Sequence, residues 1–117
     1  MNIEDYREYC LSKEFTTESF PFDSKTLVFK VGGKIFAATN IEQFVFITLK
    51  CEPETAIEFR ERYSGIKPGW HSNKKHWNSV YLNTDISSQL LQTLIDQSYE
   101  LVHQTLTKKV RYELQNG

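Results

Sequence analysis

The hydrophobic positions along this chain change from helical spacing to strand spacing and back again. Near the amino terminus, apolar side chains recur every three or four residues, as in an amphipathic helix, and Asn2 is a suitable N-cap. We therefore predict a first helix from Asn2 to about Lys13. Its apolar stripe comprises Ile3, Tyr6, Tyr9 and Cys10.

Four strands are predicted after this helix, where β-branched and aromatic residues become frequent. They cover residues 16–22, 27–31, 34–38 and 44–49. Pro21 makes the first an edge or end strand, and the fourth is apolar on both faces, which favours a central position. Gly32-Gly33 indicates a two-residue hairpin turn, because both glycines can adopt positive φ.

The hairpin turn also predicts which side chains lie opposite each other, since a two-residue turn sets the register. The expected cross-strand pairs are Phe29 with Phe36, Leu27 with Ala38, and Lys30 with Ile35. We expect the first two pairs to face the core and the third to lie on the opposite face of the sheet.

The second half of the chain returns to helices around one more strand. Pro53 opens a predicted helix that ends near Tyr63. Residues 76–82 follow a strand pattern, with Trp77 on one side and His76 and Asn78 on the other.

A long leucine-rich helix follows this strand and ends at about Leu106, with Asp85 or Ser87 as its N-cap. Residues 107–117 are expected to form a short basic helix or tail. A run of strands with helices at both ends favours one α+β domain over residues 1–117, with an antiparallel sheet, helices on one face and the other face partly open.

The charge distribution is more informative than the net charge, which is −1. Residues 62–84 contain four lysine or arginine residues and no acidic one. No apolar run is long enough to span a membrane, and the first residues do not resemble a secretion signal. We expect a cytoplasmic protein that is monomeric.

The segment from Pro68 to Asn78 contains both tryptophans, two of the three histidines and two adjacent lysines. This density of aromatic, cationic and amide groups is typical of a binding loop, and lysines can contact phosphate while tryptophan stacks on bases. A structural interpretation stays open, because a tryptophan at a strand often fills the core and asparagines often satisfy loop backbone groups. The candidate binding residues are Lys34, Lys67, Trp70, His71, Asn73, Lys74, Lys75, His76, Trp77 and Asn78, and Lys108, Lys109 and Arg111 would extend the surface.

The motifs of this chain resemble those of the MmcQ/YjbR family of small bacterial proteins. They are Glu18-Ser19-Phe20-Pro21-Phe22, Val31-Gly32-Gly33-Lys34-Ile35-Phe36-Ala37, Leu49-Lys50-Cys51, the segment from Pro68 to Asn78, and Ser98-Tyr99-Glu100-Leu101-Val102. The resemblance covers nearly the whole chain. It implies a CyaY-like (frataxin-like) fold and DNA binding through a double-wing arrangement.

Other functions have less support in the sequence. His71 and His76 have no third ligand nearby, whereas zinc requires three or four, so no metal or other cofactor is expected. No catalytic motif is found, so we expect a protein that is not an enzyme. The alternatives to nucleic-acid binding are a protein or peptide interaction module and a site for a small anionic ligand, both using the same loop and the open sheet face.

Overall fold

The computed structural model describes residues 1–69 and 72–117, and within them it contains four helices and six strands. The helices are α1 (Ile3–Leu11), α2 (Pro53–Arg62), α3 (Ser88–Gln104) and α4 (Lys108–Asn116). The strands are β1 (Thr16–Ser19), β2 (Thr26–Val31), β3 (Lys34–Asn40), β4 (Phe46–Lys50), β5 (Ile66–Pro68) and β6 (Trp77–Tyr81). All pairs are antiparallel, in the spatial order β1-β2-β3-β4-β6-β5. The predicted α+β class with an antiparallel sheet is confirmed.

The helices pack on one face of this sheet. The ring of Tyr6 in α1 lies 5.4 Å from the ring of Phe29, and Ser98 of α3 bonds to the backbone of β3. The core lies between helices and sheet and includes the buried side chains of Tyr6, Phe29, Phe36, Ile47, Leu49, Val80 and Ile95. The described helices all contribute side chains to this core, so none of them covers the opposite face, which was predicted to be partly open; Val28 and Ser79 on that face are buried. We call it the open face.

The hairpin between β2 and β3 has the predicted turn but not the predicted register. Gly32 and Gly33 have φ values of 58° and 81°, and Lys30 pairs with Ile35 as expected. Beyond that pair the predictions were wrong, because Phe29 pairs with Ala37 and Leu27 with Thr39. The register shifts at a β-bulge, where β3 contains one extra residue, Phe36, which cannot be counted from a turn.

Strand β5 was missed by the sequence analysis. It has three residues, ends at Pro68 and forms the sheet edge beside β6. Such a short strand shows too little alternation to be recognised. At the other edge, β1 ends at Ser19, earlier than predicted, and Phe20 and Pro21 lie outside it.

The N-caps of α1 and α3 are residues that the sequence predicted for that role. The side chain of Asn2 accepts a hydrogen bond from Asp5 N at 2.8 Å. Ser87 is the N-cap of α3 and accepts from Leu90 N at 3.0 Å, whereas the Asp85 carboxylate bonds elsewhere. Thr107 caps α4, so the basic tail is helical from Lys108. No helix in the described part of the chain is long and apolar enough to cross a membrane.

Candidate nucleic-acid interface

Three lysines lie on the open face of the sheet. Cross-strand partners share a face, and the partners of Lys30, Lys50 and Lys67 are Ile35, Trp77 and Ser79. Each of these lysines alternates with residues of the helix-covered face, such as Phe29, Leu49 and Ile66. By the same alternation, none of the strand residues described on the open face is acidic. The face is therefore positively charged.

Aromatic side chains accompany these lysines. Trp77 is partly exposed and lies on the open face opposite Lys50. Phe46 and Tyr81 form a pair on the same face, with ring centroids 5.1 Å apart. Flat apolar rings beside ammonium groups suit ligands that have both planar and anionic parts.

A pocket of about 430 Å³ lies at the end of the sheet where the β2–β3 hairpin turns. We call it the lysine pocket. Strands β2, β3 and β4 each contribute a lysine, β6 contributes Trp77, and the last turns of α3 form the far wall. It is lined by Lys30, Gly33, Lys34, Ile35, Lys50, Trp77, Val102 and Thr105.

The positive charge of the lysine pocket is not balanced by acidic side chains in its lining. No acidic side chain is among its lining residues, and within residues 1–69 and 72–117 none of its lysines pairs with a carboxylate. Lys34 is held at the rim, where its Nζ donates to the hydroxyl and the carbonyl oxygen of Thr105 at 3.2 and 3.4 Å. An anion is the ligand that such a group of ammonium side chains attracts.

Arg60 of α2 forms hydrogen bonds with described residues of the β5–β6 loop and of β6. Arg60 Nε donates to the side-chain oxygen of Asn78 at 2.7 Å, and its Nη2 donates to Trp77 O at 3.2 Å and to Lys74 O. Asn78 is 3% exposed and faces the helices. It therefore supports the loop from the helix side of the sheet. It does not share the open face with Trp77, in agreement with the predicted alternation.

Several other predicted residues build the loop itself. The Asn73 side chain accepts from Lys75 N at 3.0 Å, and its carbonyl accepts from the backbone N–H groups of His76 and Trp77. Lys74 Nζ donates to Gly69 O at 3.3 Å. The side chains of Lys74 and Lys75 are exposed. Trp70 and His71 lie outside the described residues.

The structure thus brings two predicted residues, Lys34 and Trp77, into one pocket with two that the sequence analysis missed, Lys30 and Lys50. Each missed lysine is a single charge within a strand pattern. The predicted pairing of Lys30 with Ile35 placed Lys30 on the open face, but nothing in the sequence showed that β4 would bring Lys50 alongside.

The basic residues of α4 divide into two groups. Arg111 Nη2 donates to Gln104 O at 3.0 Å and to His103 O at 3.4 Å, so it caps the end of α3. Lys108 and Lys109 are exposed and can extend a positive surface from the hairpin end.

The described residues include no cluster of metal-ligating side chains, and their two cysteines are both buried. No three side chains of His, Cys, Asp or Glu come together there as metal ligands. Burial raises the pKa of the Cys10 thiol to about 12, and it also raises the pKa of the Cys51 thiol. Both thiols are therefore protonated at neutral pH, which makes them poor nucleophiles.

Comparison with protein families gives a match to the YjbR model over residues 11–101. The uncharacterized protein YbdF of Escherichia coli O157:H7 is 38% identical over 115 residues, which is 97% of this chain and 94% of that protein. The uncharacterized protein YjbR of Escherichia coli K12 is 31% identical over 112 residues, 95% of each chain.

Two solved structures have the same fold. The crystal structure of DR2400 of Deinococcus radiodurans, a DUF419-domain protein, superposes with a TM-score of 0.90 and 40% identity, covering 97% of this chain and 88% of that one. A crystal structure of the Pseudomonas syringae protein PsR293 gives a TM-score of 0.74 and 28% identity, over 87% and 99% of the two chains.

Proposed function

Because the chain belongs to the YjbR family and its open face combines lysines with tryptophan, we propose that it binds single-stranded nucleic acid on that face. The observation that carries this proposal is the placement of Lys30, Lys50, Lys67 and Trp77 on one side of the sheet without a strand carboxylate among them. In this proposal, the nucleic-acid binding implied by the family motifs takes place on this side of the sheet.

The shape of the surface favours a single strand over a duplex. Proteins that read duplex DNA by its bases usually insert a helix or a two-stranded ribbon into the major groove. Here the described helices pack on the opposite side of the sheet, whereas Lys30, Lys50 and Trp77 lie on the sheet face itself. Sheet faces with aromatic and basic side chains bind unpaired bases by stacking and phosphates by charge.

The lysines extend across most of the sheet. Lys30 lies on β2 and Lys67 on β5, which are four strand spacings apart in the sheet order, or about 19 Å at ~4.8 Å per spacing. That distance suits a short run of nucleotides. With three to five phosphate contacts, the slope of log K against log salt is about −2 to −3.5 for a single strand, so we expect weak binding with a shallow salt dependence.

The finer features implied by the family resemblance belong to this proposal. A CyaY-like fold with a double wing is consistent with the β2–β3 and β5–β6 connections, because the described ends of these strands lie at the same end of the sheet. In this proposal the protein is a cytoplasmic monomer that binds its ligand without catalysis.

A second candidate function is protein binding at the opposite end of the sheet. Several large apolar side chains are exposed there, with Phe22 69% and Val45 50% accessible. A protein site at that end would not depend on the lysines of the open face, which separates it from the first proposal.

The test of nucleic-acid binding is fluorescence anisotropy with a labelled single-stranded oligonucleotide of mixed sequence, titrated at several salt concentrations. Lys67→Gln removes one exposed open-face charge and is expected to weaken binding and reduce the salt slope by about 0.7. Lys25→Gln is the matched control, because Lys25 is also exposed but lies at the other end of the sheet, near Glu42.

An affinity that does not change with salt, or an equal loss in both variants, would overturn the proposal. A duplex of the same sequence should bind more weakly than the single strand. Tighter binding of the duplex would move the site away from the open face.

A further inference from the structure

The lysine pocket concentrates more positive charge than an internal phosphate of a nucleic acid requires. Lys30, Lys34 and Lys50 all line it, and no lining residue is acidic. A phosphodiester has one negative charge, whereas a phosphomonoester has about −1.5 to −2 at pH 7. The group of ammonium side chains therefore matches the more highly charged species.

The position of the pocket also suits the end of a nucleic-acid strand. It lies where the β2–β3 hairpin turns and β4 stops, and Val102 of α3 and Thr105, the C-cap of that helix, form its far wall. A single strand bound on the open face, as proposed above, would reach these residues after Trp77. We propose that the lysine pocket binds the terminal phosphomonoester of a single-stranded nucleic acid, with Trp77 against the adjoining base.

Size and local rigidity agree with this assignment. The lysine pocket is a shallow, open cleft of about 430 Å³, toward the lower end of the range of roughly 300–1,000 Å³ that is usual for small-ligand sites. Lys34 is already oriented, because Thr105 accepts two hydrogen bonds from its ammonium group. An ammonium group has three donors, so Lys34 can still donate to a phosphate.

This inference rests on the proposed nucleic-acid binding, and it adds a preference for the phosphorylated ends of nucleic-acid strands. A free nucleotide presents the same chemistry, a phosphomonoester next to a planar base. The experiment must therefore compare the two sources of that group.

The experiment measures the affinity of the full chain for one labelled single strand in three forms, with a 5′-phosphate, with a 3′-phosphate and with neither. We expect one phosphorylated form to bind about 10-fold tighter than the unphosphorylated form, because a dianion gains charge-assisted hydrogen bonds. Lys30→Gln and Lys50→Gln, each checked for an unchanged fold by circular dichroism, should bring this ratio close to 1.

Two control variants separate the pocket from the rest of the surface. Lys67→Gln should weaken all three oligonucleotides alike and keep their ratio, because Lys67 lies on β5, outside the pocket. Lys25→Gln should change neither the affinity nor the ratio. Equal affinity of the three forms for the unaltered protein would overturn the inference while leaving the proposed function intact.

A fluorescent mononucleotide, with inorganic phosphate as competitor, tests whether the pocket binds a free nucleotide instead of the end of a strand. If no oligonucleotide binds but the mononucleotide does, and Lys30→Gln abolishes that binding, the proposed function fails and the pocket is a site for free nucleotides. If neither ligand binds, both proposals are overturned.

Discussion

The Ser98 hydroxyl donates a hydrogen bond of 2.6 Å to the carbonyl oxygen of Phe36 and so ties α3 to the β-bulge of β3. The same hydroxyl accepts from Lys50 N at 2.8 Å. The described β3–β4 register ends at Ala37 and Leu49, one residue before this point. A helix side chain thus bridges the two strands where the ladder stops, beside the lysine pocket.

Ser98→Ala is expected to destabilise the protein by about 1–3 kcal/mol, because it leaves a buried N–H and a buried carbonyl without their partner. The measurement is the free energy of unfolding in urea. Gln97→Ala is the control, since Gln97 is the exposed neighbour on the same helix. Equal free energies of unfolding for the two variants would show that the bridge has no energetic role.

The sequence predicted the helices, strands and turns better than the register in which the strands pair. Asn2, Pro53 and Gly32-Gly33 have local physical effects on the backbone, so the ends of two helices and the hairpin turn could be read from them. The bulge at Phe36 could not, because one extra residue in β3 has no signature in the local sequence pattern. For the same reason the register beyond Lys30 was wrong.

The candidate site shows the same division. The density of tryptophan and lysine near Trp77 indicated a binding region, and the structure places Trp77 on the open face. Asn78, chosen from the same segment, is buried against Arg60. Lys50 joins the pocket only through strand order, which is a tertiary property that no local pattern encodes.

Arg60→Lys is expected to loosen the β5–β6 loop. The guanidinium bonds to the Asn78 side chain and to two backbone carbonyls, and a lysine cannot reproduce this planar arrangement. We expect a loss of about 1–3 kcal/mol in the free energy of unfolding and weaker oligonucleotide binding. Arg62→Lys, at an exposed position two residues on, should cost less than about 0.5 kcal/mol. Comparable losses in the two variants would contradict the role of Arg60.

Asp85 predicts a pH dependence of stability. Its carboxylate accepts from Gly65 N at 2.8 Å and Ser64 N at 2.9 Å, and these backbone donors hold the pKa of Asp85 below its usual value. Because the pKa is lower in the folded state, the stabilisation is present above the unfolded value of about 3.9 and is lost as the pH falls through the folded pKa.

Asp85→Asn should therefore be less stable than the unaltered protein at pH 7, and the difference should shrink at pH 3. Thermal unfolding at both pH values measures it. Ser87→Ala, which removes the neutral cap of α3, should cost about 1 kcal/mol at either pH. A difference for Asp85→Asn that stays constant from pH 7 to pH 3 would disprove the assignment.

The two turn glycines should differ in their tolerance of alanine. Both have positive φ, so each substitution incurs backbone strain of about 1–2 kcal/mol. A β-carbon at Gly33 would meet nothing within 4 Å, whereas one at Gly32 would lie 2.7 Å from the methyl groups of Leu106. Gly32→Ala must also shift the side chain of Leu106, which is buried in the core, so it should lower the free energy of unfolding more than Gly33→Ala. Urea unfolding of both variants decides the point, and a larger loss for Gly33→Ala would show that Leu106 does not restrict the turn.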